Sequence, residues 1–166
     1  MAGMIDQLVE VMGEQAERYN ELLGLSLEEK DLLVKNDVEG LQKITNLKNL
    51  VITQNNRLER KRISLVDDIA EVMGSTEKDM PLKQLIELLD GQPEAEQLAE
   101  IGIRLRETLE KLQESNDLNK QLLESSLDYI EYSLNMIRSS VTPEIASFPD
   151  KGDQGHDVYG SFDTIQ

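Results

Sequence analysis

Apolar side chains recur at Ile5, Leu8, Val9, Met12, Ala16, Tyr19, Leu22 and Leu23 and resume at Leu27 and Leu33. These steps of three and four trace one side of a helix, which the spacing predicts over 4–35. Gly13 and Gly24 each cost it about 1 kcal/mol relative to Ala, which softens its middle. Asn36-Asp37 then signals a turn, with the Asp37 carboxylate suited to cap a second helix. That helix is predicted over 37–73. Its seam reads Leu41, Ile44, Leu47 or Lys48, Val51, Asn55, Leu58, Arg62, Leu65, Ile69 and Met73, and Gly74 stands where a left-handed C-terminal cap is wanted.

Gly74 to Pro93 is a connector with one short apolar piece, read as a crossing helix over 81–90 that opens at Pro81 and stops at Asp90-Gly91. A long helix is predicted over 94–140, with its seam at Leu98, Ile101, Leu105, Leu109, Leu112, Asn116, Asn119, Leu123, Leu127, Ile130, Leu134, Ile137 and Val141. At 1.5 Å per residue it is roughly 70 Å long, so it should overhang its neighbours. The fold class expected is all-α: an elongated antiparallel three-helix bundle or coiled coil over 1–141 with a short connector helix. From Thr142 the chain turns rich in Pro and Gly and poor in aliphatics, and 142–166 reads as a disordered tail.

Composition agrees with helix and removes several functions. Of 166 residues 25 are Leu and only six are aromatic, a poor supply for strands. The net charge of −16 disfavours both nucleic acid and anionic membranes. No apolar run exceeds three residues, so no membrane insertion is expected, and Met1-Ala2-Gly3 opens no signal peptide. With no Cys, the chain offers no disulfide, no thiolate metal site and no thiol nucleophile, and it suits a reducing, cytoplasmic setting.

Catalytic chemistry is equally sparse. The glycines stand singly and make no phosphate cradle. The one histidine, His156, falls in the tail, so the bundle has no Glu-x-x-His pair for a di-iron site. Acid neighbours such as Glu28-Glu29 and Asp67-Asp68 point about 100° apart and read as solvated faces. No enzyme, no metal and no cofactor is expected. The basic cluster Arg57, Arg60, Lys61, Arg62 has two readings: pairing with acids such as Glu59 or Asp67, or an anchor for a partner's carboxylates. Arg62, on the seam, calls for a partly buried partner. Asn116 and Asn119 fall on the core stripe, where a polar residue sets register.

The second half of the last helix carries the sharpest signal. On a helical wheel, Lys120, Gln121, Glu124, Asp128, Glu131, Asn135 and Arg138 share one arc of about 100°. The seam residues Leu123, Leu127, Ile130, Leu134 and Ile137 lie to one side of it. Leu118, Leu122, Tyr129, Tyr132 and Met136 form a second stripe, and serines fill the gaps. Roughly 220° of circumference is free of charge, about twice what a surface helix buries. Either this half is central in the bundle, packed by the first helix and the connector, or these ten residues form a partner-binding surface.

The order of elements resembles the FlgN-type flagellar export chaperones. The resemblance rests on Leu32-Leu33-Val34-Lys35, Asn36-Asp37 followed by Gly40-Leu41, Leu58-Glu59-Arg60-x-Arg62, the Leu82 to Leu89 segment, and Asn116-x-x-Asn119-x-x-x-Leu123 opening a Ser/Leu/Tyr-rich helix, together spanning about 4–141. It implies a cytoplasmic helical chaperone, without ATPase activity, that binds the helical C-terminal parts of hook–filament junction proteins. Such a chaperone prevents their premature assembly and delivers them to the flagellar type III export gate. The resemblance also implies client binding through the last helix, with Tyr129, Tyr132 and Tyr159 available to client or gate. The competing reading is a self-associating structural coiled coil, a homodimer that buries the same surface.

Overall fold

In the computed structural model the backbone is described for residues 2–145 and the side chains for 3–140. Helix α1 (Ala2–Lys35) ends in a left-handed residue, Asn36 (φ 54). Its closing bonds run from the Asn36 amide to the Leu33 carbonyl (3.2 Å) and from the Asp37 amide to the Leu32 carbonyl (3.0 Å). This double bond satisfies carbonyls that the helix end would otherwise leave without partners. Asp37 at once caps α2 (Val38–Val72), its carboxylate accepting from the Gly40 amide at 2.9 Å. A Cβ at Gly40 would lie 2.6 Å from that carboxylate and 2.8 Å from Leu32 Cδ2, so a larger residue there would displace both side-chain ends.

The two helices pack antiparallel. Gln15 meets Glu59, Arg18 meets Gln54, and Lys48 returns to Glu29. Helix α2 ends as its sequence predicts, with Gly74 left-handed (φ 77) and the Ser75 amide bonded to the Ala70 carbonyl at 2.9 Å. The connector carries α3 (Leu82–Leu88), which starts just after Pro81, and Gly91 (φ 83) turns the chain into α4 (Pro93–Ile145). Helix α4 passes Pro143 and ends at Ile145, beyond the expected stop at 140. A proline in a final turn forfeits one backbone bond without ending the helix before it. The rest of the expected disordered tail, 146–166 with His156 and Tyr159, lies outside the described residues.

The chain divides into two compact units, residues 1–125 and 126–166. In the first, Ile5, Leu8, Val11 and Met12 of α1 are buried with Val66 and Ile69 of α2, Leu85 and Leu89 around α3, and Leu98 and Leu105 of α4. The connector therefore closes the end of the bundle where α1 begins, anchored by Met80 at 3% exposure. From there α4 runs alongside α1 in the same direction, since Thr108 reaches Asn20 and Ser115 reaches Ser26. Each fully buried Leu or Ile contributes roughly 1.5–3 kcal/mol, so this end carries most of the apolar stabilisation. Further along, the buried apolar cluster thins to Leu22, Val51 and Leu112.

Candidate partner-binding surface

The buried line of α4 is Leu98, Leu105, Leu112 and Asn119, seven residues apart at each step, with Thr108 buried between the second and third. A strict heptad is the coiled-coil register. Leu98, Leu105, Leu112 and Asn119 all belong to the expected seam, but its other members Leu109, Asn116 and Leu123 are exposed, Leu109 at 41%. The interface uses small hydroxyl residues that an apolar count passes over. Thr108 satisfies its hydroxyl on the Arg104 carbonyl one turn back at 3.0 Å, and Ser115 shares a 2.8 Å bond with Ser26. A hydroxyl bonded in this way enters an interface without the cost of an unmet donor.

Ser26, fully buried, is the centre of a polar layer. Its hydroxyl donates to Asn116 Oδ1 at 2.8 Å, and Asn119 Nδ2 donates to the Ser26 carbonyl at 2.7 Å and hydroxyl at 3.1 Å. Lys48 and Glu29 close the layer with an ion pair, both side chains 20% exposed. Asn119 Oδ1 and, on α2, Asn55 Oδ1 are buried without a hydrogen-bond partner. A buried orphan acceptor costs about 1–3 kcal/mol, so this layer contributes registry more than stability. Ser26 and Ser115 were not among the expected core residues, and only three-dimensional pairing identifies them.

Arg62 has the half-buried partner its seam position called for, and it lies on its own helix. Nε donates to Glu59 Oε2 at 2.9 Å and Nη2 to Oε1 at 2.6 Å, while Gln15 Nε2 adds a bond to Oε2 at 2.7 Å. The guanidinium beside Glu59 holds that carboxyl below its ordinary value, against the opposing effect of burial, and Glu59 in turn raises Arg62. A cleft of about 400 Å³ opens over this network, lined by Tyr19, Leu82, Leu105 and Leu109. Among the described residues no group of His, Asp and Glu is placed to hold a metal ion.

The ten surface residues read from the sequence divide between the units. In the first, Leu118 and Leu123 are exposed and Leu122 is half-buried. In the second, Leu127, Tyr129, Ile130, Tyr132, Leu134, Met136 and Ile137 are all exposed, from 47% at Leu134 to 71% at Tyr129. Central packing by the connector does not account for them, because Leu85 and Leu89 are buried with Ile5, Leu8 and Leu98. Spacings of three and four put Leu127, Ile130, Leu134 and Ile137 on one side of α4 and Tyr129, Tyr132 and Met136 on nearly the opposite one. Ser139 and Ser140 turn their hydroxyls onto the carbonyls of Met136 and Ile137, which leaves the surface beside them apolar. Seven large apolar side chains open to water on so short a helical stretch are characteristic of an interaction surface.

The family model described as FlgN protein matches residues 1–147, and the chain belongs to this family of flagellar export chaperones. No curated protein and no solved structure matches it. Among the described residues no helix is long and apolar enough to cross a membrane.

Proposed function

We propose that this chain is the export chaperone of the hook–filament junction proteins. It holds their helical C-terminal parts against α4 in the cytoplasm and delivers them to the export gate. The reading is supported by membership of the FlgN family, and the single observation that carries it is the exposure of Leu127, Tyr129, Ile130, Tyr132, Leu134, Met136 and Ile137. A client's amphipathic helix laid on either stripe buries its own polymerising face and lowers the exposed apolar area of both molecules. Leu118, Leu122 and Leu123 are proposed as contacts within the first unit. The acidic remainder, part of a net charge of −16, keeps the loaded complex from aggregating.

Light scattering on a sizing column, with the protein alone and then mixed with the two junction proteins of the same organism, tests this reading. A monomer that moves to a one-to-one complex is the expected result. A homodimer indifferent to both clients would replace it with the self-associating coiled coil.

A further inference from the structure

Between Gly40 and Val66 the chain carries six cations and one carboxylate, a local charge of +5 in a protein of −16. Three of the cations are internally engaged: Lys43 with Glu39, Lys48 with Glu29 and Arg62 with Glu59. Arg57, Arg60 and Lys61 are exposed and take part in no ion pair among the described residues. Pairing with nearby acids is thus realised at Arg62 alone within the basic cluster. Two of the three exposed cations continue a line of exposed apolar residues, since Leu47, Leu50, Gln54, Arg57 and Lys61 follow one another at steps of three, four, three and four, and Arg60 borders the line on its outer side. Leu47 is 51% and Leu50 58% exposed. The line covers about 21 Å along one flank of α2, bordering the buried stripe of Ile44, Val51 and Asn55.

We propose that this flank of α2, from Leu47 to Lys61, is a second docking surface that receives an acidic amphipathic helix of a partner protein. The leucines take the partner's apolar positions at one end, and Arg57, Arg60 and Lys61 take its carboxylates at the other, Arg through paired N–H donors. The geometry favours a single helix over an anionic bilayer. Arg18, bonded to Gln54 at 3.4 Å, holds Glu17 and Glu21 beside the line, and that acidic border repels a broad negative plane. A helix about 10 Å wide can follow the line itself, with its carboxylates at Arg57, Arg60 and Lys61. The surface is on the first unit and is separate from the client stripe at 127–137.

The probe is a capped 20-residue peptide with Leu at heptad a and d positions and Glu at e and g, added to the isotope-labelled full-length chain and followed by amide NMR shifts. Expected are shifts centred on 47–61, affinity that falls steeply with salt, and at least tenfold weaker binding to R57E/R60E/K61E and to L47N/L50N, both with unchanged circular dichroism. The same peptide with Lys in place of Glu should not bind. The triple variant should still form the one-to-one complex with a junction protein, which separates this inference from the client reading. The proposal is overturned by absence of binding, by shifts confined to 127–137, or by binding that the triple variant leaves intact. It is also overturned if vesicles of 30% phosphatidylglycerol compete the peptide off, or if the triple variant dissociates a homodimer, either of which assigns the flank to a different occupant.

Discussion

Asn119 and Ser26, 93 residues apart in sequence, are joined by two bonds from one amide nitrogen, to the Ser26 carbonyl at 2.7 Å and to its hydroxyl at 3.1 Å. Glu29 Oε2 lies 3.5 Å from the same nitrogen, so the three atoms it meets are all oxygens that accept from it. The pair locks the heptad of α4 onto α1 at one height, and the orphan Oδ1 on the other side of the amide is the cost of that lock.

The acceptor surroundings set the sign of two substitutions. Asn119→Asp puts a carboxylate among acceptors and should cost about 2–3 kcal/mol, lowering the thermal midpoint by several degrees. Asn119→Leu removes the orphan acceptor together with the donor and should leave the midpoint unchanged or raised. Melting followed by circular dichroism checks both, and equal losses in the two variants would mean that the amide is needed for stability rather than registry.

The bidentate pair of Arg62 and Glu59 makes part of the stability pH-dependent. Folding lowers the Glu59 pKa from its ordinary 4.5, so the stabilisation is fully present above that value and is lost as pH falls through the lower folded one. Glu59→Gln should therefore flatten the decline in melting temperature below about pH 4.5 while costing less than about 1 kcal/mol at neutral pH, the pair being partly solvated. Melts at pH 7 and pH 3.5 test this, and the same acid slope in wild type and variant would assign the decline to other carboxylates.

The caps carry a measurable share of helix stability. Gly74 holds φ 77, a conformation in which a Cβ is strained, so Gly74→Ala should cost about 1 kcal/mol although nothing crowds the site. Asp37→Ala removes the carboxylate that accepts from Gly40 and should cost a similar amount. Each loss corresponds to roughly 2–4 °C in thermal midpoint for a domain of this size.

Exposure separates surface from core on α4. Tyr129→Asp and Ile130→Asp should leave the midpoint within about a degree, because both side chains are already in water, while abolishing the client complex. Leu109→Gln should also be nearly neutral, whereas Leu112→Ala should cost about 2–5 kcal/mol. A large loss at Leu109 would restore the seam that the apolar pattern alone suggested.

By itself the sequence determined what local chemistry controls. Steps of three and four in Leu and Ile define helices, Asn36 and Gly74 end them because their backbone tolerates positive φ, and Pro81 and Gly91 bracket the short connector. It also showed the 220° of charge-free surface on the last helix but left open whether the bundle covers it, and the fold leaves the large apolar residues from Leu127 to Ile137 exposed. Tertiary structure decided which of two overlapping seams faces the bundle. Leu109 and Leu123 compete with Thr108 and Ser115 on adjacent wheel positions, and hydrophobicity ranks the leucines first. Ser115 and Asn119 face inward because Ser26 of α1 stands opposite and bonds both, while Thr108 satisfies its hydroxyl on its own helix, and a pairing across 89 or more residues is absent from any local pattern. The folded chain likewise divides the basic cluster into Arg62, paired with Glu59 to which Gln15 also donates, and the exposed Arg57, Arg60 and Lys61.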